Sequence, residues 1–270
     1  MFGWFGNREK AGEAAIDAGL WREATAPYLF MRGLGEADGD RLRRVAEGFL
    51  AGKHFSATHG LDITPLMHVQ VAAQACILVL ELGLSWYEGW SEIIVYPGQF
   101  TPEREFVDEA GVVHLVNDPM AGEAWLGGPV ILSYEDVAMT SDEHARVDGY
   151  NVVIHEFAHK LDMRSGDPNG RPPLHAGMSA RAWQQAFSEA YQDFSTRVDK
   201  ARAREDIDGG RALEQLPIDP YGAESPGEFF AVVSEAFFET PEWLEPDYPA
   251  LYGQLREFYR QDPLARLAAA

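Results

Sequence analysis

Val152-Val153-Ile154-His155-Glu156-Phe157-Ala158-His159 sets two histidines four residues apart, with a glutamate after the first, among otherwise apolar residues. Residues i and i+4 share one face of a helix, so His155 and His159 can aim ring nitrogens at a single point. Zinc accepts two imidazoles in that arrangement and needs them neutral and partly removed from water. Glu156, one position round the helix, flanks the same point and can take a proton from water there. An apolar helix carrying His and Glu with no partner would be costly to bury. The stretch therefore reads as the active-site helix of a metal-dependent hydrolase, binding one Zn2+ per chain.

A hydrolytic zinc site usually has a third protein ligand and leaves a fourth position open. The longer spacing that supplies a third histidine from the same segment is excluded, because its positions hold Asp162 and Ser165. Asp162 lies three residues after His159 on the same face, either as a ligand or as an acceptor that orients a histidine. A later helix, Ser225-Pro226-Gly227-Glu228 through Phe238, puts Glu228, Ala231, Val232 and Glu235 on one stripe. Ser225 and Glu228 also fit a capping box, which would occupy Glu228 locally. Spacing leaves the third ligand among Glu228, Asp162, Glu235 and Glu224.

Outward from this segment, the chain reads as helices, a small sheet, then helices. The first ~85 residues have helical apolar recurrence, with Leu42, Val45, Ala46 and Phe49 on one stripe and Leu66 to Leu82 apolar nearly all round. Pro65 suits a first helical turn, and Gly83 suits a stop. Strand character appears at Glu92 to Tyr96, at Phe106–Val107 and Val112–Val116 around Ala110-Gly111, and at Val130 to Ser133. The class is α+β. A helical part over residues 1–88 and a catalytic part over 89–270 are expected to pack as one unit, since no Pro/Ser-rich linker divides them.

Composition narrows the function classes. The 270 residues are 46% hydrophobic and carry 22 basic against 43 acidic side chains, a net charge of −21. That field repels phosphate backbones and anionic lipid surfaces, so neither direct nucleic-acid binding nor membrane binding is expected. The most apolar stretch, Val69 to Leu84, is broken by Gln70, Gln74 and Glu81 and is short for a bilayer span. The first residues, Met1-Phe-Gly-Trp, put aromatics ahead of the first charge, the reverse of a secretory signal, so a cytoplasmic location is expected. The single cysteine, Cys76, sits in Ala-Gln-Ala-Cys-Ile-Leu and reads as a core residue. The remaining histidines have no ligand spacing.

The segment from His155 to Asp162, together with Tyr221 and the block from Glu228 to Phe238, resembles the Mlc titration factor A family of bacterial zinc peptidases. The resemblance extends to Leu80-Glu-Leu-Gly-Leu-Ser-Trp86, Ile94-Val-Tyr-Pro97, Gly128-Pro-Val-Ile-Leu132 and Gln261-Asp-Pro-Leu264. It implies a gluzincin core similar to the protease domain of anthrax lethal factor. It implies His155, His159 and Glu228 as zinc ligands, Glu156 as the base and Tyr221 as a stabiliser of the transition state. Asp162 and Glu235 then remain as residues that could orient the ligating histidines. The same resemblance implies aminopeptidase-like activity on small substrates in the cytosol, and a protein partner such as an Mlc-like transcriptional repressor. Val130, Ile131 and Leu132 are expected to form an edge strand that pairs with an extended peptide substrate. Two alternatives accompany this expectation. One is a regulatory binding protein with weak or vestigial peptidase activity, and the other is a zinc hydrolase acting on something other than peptides.

Overall fold

The computed structural model describes residues 15–101, 104–107, 113–116, 120–139 and 149–269. Two helices, α1 (Ala18–Thr25) and α2 (Glu36–Gly52), lead into strand β1 (His54–Ala57) and then α3 (Pro65–Leu78). Strands β2 (Glu92–Tyr96), β3 (Arg104–Val107), β4 (Val113–Val116), β5 (Gly122–Ala124) and β6 (Val130–Ser133) follow, with α4 (Tyr134–Met139) directly after. The second helical part runs α5 (Val152–Asp162), α6 (Ala180–Arg202), α7 (Glu205–Asp208), α8 (Arg211–Glu214), α9 (Pro226–Glu239), α10 (Pro241–Asp247), α11 (Pro249–Tyr259) and α12 (Pro263–Ala269). The architecture is mixed α+β.

Each helix that positions the site begins on a residue able to satisfy its first free N–H groups. Thr64 accepts the Met67 N–H and Pro65 occupies the first turn of α3. Asn151 accepts the Ile154 N–H to start α5, and Ser225 accepts the Glu228 N–H to start α9. Helix α3 is buried on nearly every side, as its all-round apolar sequence requires. Gly83, beyond its end, takes φ +84°, a conformation a side chain would resist.

The main sheet has the order β1-β2-β6-β5, with β6 parallel to β2 and antiparallel to β5. Ile93 pairs with Val130 and Val95 with Leu132, so these four buried side chains share the face that meets the helices. Phe157 of α5 packs its ring against Phe49, Tyr87 and Trp90. Phe229 of α9 meets Phe187, Tyr191 and Phe194, while Phe230 meets Trp183 and Phe258. One apolar cluster runs from Ile16 to Tyr259 and includes Cys76.

Two expectations change. The first 85 residues are not all helical, because β1 lies among them and pairs parallel with β2. His54-Phe55-Ser56-Ala57 has no strand periodicity, and it is extended because β2 offers it a partner. The second change concerns β6. Val130, Ile131 and Leu132 are not an edge, since β6 is hydrogen-bonded to β2 on one side and β5 on the other. No backbone group of theirs is left to pair with a substrate strand. The edge is β5. Strands β3 and β4 form the expected antiparallel hairpin, while its Ala110-Gly111 turn lies outside the described residues.

Candidate metal centre

Helices α5 and α9 pack directly on each other and carry the site between them. Nε2 of His155 lies 3.0 Å and Nε2 of His159 3.3 Å from the same oxygen, Oε2 of Glu228. One ligand atom from each of the three residues falls within 4.8 Å of the others. The capping-box question is thereby resolved in halves. Ser225 does cap α9, but the Glu228 carboxylate turns inward to the histidines and does not reach back to the Ser225 backbone.

The other acidic candidates separate cleanly. Glu235 Oε1 lies 2.7 Å from His155 Nδ1, so this carboxylate anchors the ring and turns Nε2 toward Glu228. Its second oxygen accepts the Asn151 N–H at the start of α5. Asp162 faces elsewhere. Its oxygens accept the backbone N–H groups of Asn169, Gly170 and Arg171 at 2.7, 2.7 and 2.9 Å, holding the loop after α5 in place. His159 Nδ1 is buried and, among the described residues, has no hydrogen-bond partner. Glu224 forms an ion pair with Arg202 on the surface, away from the histidines.

Electrostatics follow from this packing. Burial alone would raise the Glu228 pKa, yet the hydrogen bonds of His155 and His159 outweigh it and hold the carboxyl well below the usual range. Burial pulls the His155 pKa down, and its bonds to Glu228 and Glu235 more than reverse that. Glu156 is raised by burial, against the opposing pull of both histidines.

The cleft above these residues has a volume of about 400 Å³ and is walled on one side by β5. Gly122 is pressed against Glu156, so that a Cβ there would sit 2.5 Å from its Oε1. Tyr221 stands at the opening, with its ring centroid 5.9 Å from that of His155. Its turn is set by Asp219, whose Oδ1 accepts the Tyr221 N–H at 2.7 Å. Along β5 the odd residues bond to β6: Ser133 N–H reaches Ala121 O and Trp125 N–H reaches Pro129 O. The N–H and C=O groups of Gly122 and Ala124 therefore point to the outer edge, beside Glu156. Farther back on that edge, Met120 exchanges two hydrogen bonds with Phe100.

Several of these contributors escape a reading of the sequence. Gly122-Glu123-Ala124 has neither β-branched residues nor alternation. Tyr150, which lines the cleft, precedes the motif without any spacing signal. Asn151 links Glu235 to Glu239, its Nδ2 donating to Glu239 Oε1 at 2.7 Å. The one signal that could have found it is its place before an apolar helical run, where an N-cap belongs.

Comparison with known proteins adds an independent line. The profile of the family described as Glucose-regulated metallo-peptidase M90 matches residues 3–260. Mlc titration factor A of Yersinia pestis (strain Pestoides F) is 37% identical over 265 residues, covering 98% of this chain and 91% of that protein. Mlc titration factor A of Yersinia pseudotuberculosis serotype O:1b (strain IP 31758) matches with the same identity and coverage.

Proposed function

The chain belongs to the Glucose-regulated metallo-peptidase M90 family, and from that premise we propose that it is a zinc-dependent peptidase with aminopeptidase-like activity. The observation that carries the reading is the convergence of His155, His159 and Glu228 within 4.8 Å, beside Glu156. The donors fit zinc, which takes two imidazoles and a carboxylate readily. The anchoring of His155 Nδ1 by Glu235 leaves the opposite nitrogen for coordination. When bound, zinc would supply Lewis acidity at the point where the three donors meet.

The rest is performed by the chain. Glu156, raised by burial, takes a proton from water and later delivers it to the leaving amine. The outward N–H and C=O groups of Gly122 and Ala124 pair with an extended peptide and hold its scissile bond beside Glu156. Tyr221 donates its phenol hydrogen to the oxyanion that develops as the carbonyl is attacked. A gluzincin-type core, with β1 included in its sheet, belongs to the same reading, as does a cytoplasmic setting.

Metal analysis and turnover of an aminoacyl anilide test it together. The parent should hold about one zinc per chain and cleave the free-amine substrate in preference to its N-acetylated form. Protein isolated without chelators that neither holds nor takes up zinc would overturn the reading. A second reading rests on the name of the Yersinia relatives, which points to the protein Mlc. Under it, this chain binds an Mlc-like repressor through protein contacts, and Glu156→Gln would keep that binding. Its net charge of −21 argues against contact with DNA itself.

A further inference from the structure

Lys160 follows His159 in α5, yet its side chain does not reach solvent, and the residue is only 4% exposed. Its ammonium donates to the backbone oxygens of Trp125 at 2.6 Å and Gly128 at 2.8 Å. It also lies 4.6 Å from the ring centroid of Trp90, which packs edge-on against Phe157 of the same helix at 5.7 Å. Those two carbonyls belong to the tight turn that joins β5 to β6, itself closed by the Gly128 N–H on Trp125 O. A buried ammonium is tolerated only where acceptors replace its water, and here the acceptors are the turn itself.

From this geometry we propose that Lys160 is a positioning residue that fixes the substrate-binding edge strand against the catalytic helix. Strand β5 has only three residues and is held at both ends. Met120 is tied to Phe100 at one end, and the Trp125–Gly128 turn is tied to Lys160 at the other. Between the two ties, Gly122 lies against Glu156 with no room for a methyl group. The helix that supplies His155, Glu156 and His159 thus also supplies the tie that sets its distance from the cleft wall. An apolar side chain of similar length fills the same space without holding the carbonyls. The proposal rests on the peptidase reading for what β5 binds, but the tie itself is a property of the fold.

The test compares the parent with Lys160→Met, and with Lys160→Leu should the methionine variant fail to fold. Amide hydrogen exchange over residues 120–128 should quicken about tenfold while α3 is unchanged. Zinc content should stay at that of the parent. For a hexapeptide long enough to lie along β5, KM should rise about tenfold with kcat nearly constant. A single-residue anilide, which does not reach the turn, should change little. Unchanged exchange over 120–128 overturns the proposal, and so does an equal loss on both substrates, which a merely structural lysine would produce. A parent protein that cleaves neither substrate would overturn the peptidase reading, and exchange alone would then decide the tie.

Discussion

Glu228 illustrates how one side chain can satisfy two local rules that demand different things of it. A cap at Ser225 needs only the Glu228 backbone N–H, which it receives at 3.2 Å, and this frees the carboxylate for the histidines. Glu228→Ala should therefore lose zinc with little loss of helix capping, whereas a capping role would have cost ~1 kcal/mol and left the metal in place. Zinc stoichiometry of that variant distinguishes the two. Tyr221→Phe removes a donor and no ligand, so zinc and fold should persist while kcat falls by about 10²–10³. Normal turnover would remove Tyr221 from the mechanism. Glu239, two contacts behind the site through Asn151 and Glu235, carries a different signature. Burial pushes its pKa up from 4.5 to about 7 despite the bond from Asn151. A raised carboxyl pKa means that the folded state holds the proton more tightly, so stability falls as pH rises from about 4.5 to about 7. The stability of Glu239→Gln relative to the parent should hence improve by about 2–3 kcal/mol between pH 5 and pH 8. Denaturant melts at the two pH values check this, and a pH-independent difference would contradict it.

Among the elements, those with a strong period were legible and those defined by their neighbours were not. Helix α5 announced itself through His155, Glu156 and His159 on an apolar segment, and α9 through Ser225, Pro226 and its run of phenylalanines. The third ligand was narrowed by spacing to four carboxylates. The family resemblance favours Glu228, and packing gives the physical reason: Asp162 serves the loop at 169–171. The sheet was half legible. Val130-Ile131-Leu132 was recognisable as a strand, but its continuous apolar run is the mark of a strand covered on both faces, as in a sheet interior. Its true neighbour at the edge, Gly122-Glu123-Ala124, is a strand by virtue of pairing with β6 and of needing no side chain where Glu156 approaches. That second requirement makes a sharp prediction. In Gly122→Ala the new methyl would fall 2.5–2.8 Å from Oε1, Cγ and Cδ of Glu156, a side chain only 5% exposed. Glu156 must then rotate away from its working position. Turnover should drop about 10²-fold, the scale of a 1 Å misplacement, with zinc retained. Full activity in this variant would show that the carboxylate has room the packing denies it.

At the scale of the whole molecule, the metal would join two helices that lie far apart in sequence but already pack together. Between His155 and Glu228 lie 72 residues, and aromatic rings bury each helix without help from an ion: Phe49, Tyr87 and Trp90 cover α5, and rings of α6 and α11 cover α9. Glu228 and the two imidazoles attract one another even without it. Chelation should for these reasons leave a folded protein, unlike small zinc modules whose fold depends on the metal. What is lost is linkage free energy. An ion present at about a thousand times its Kd adds about 4 kcal/mol to the folded state. For a chain of this size each kcal/mol moves Tm by about 2–4 °C. Removing the metal should accordingly lower Tm by about 8–16 °C, reversibly on adding zinc. Glu228→Ala should already melt near the lower temperature and ignore the chelator. Calorimetry with and without chelator on both proteins checks this. Identical melts for the zinc-loaded and stripped parent would mean that the three donors do not act as one site.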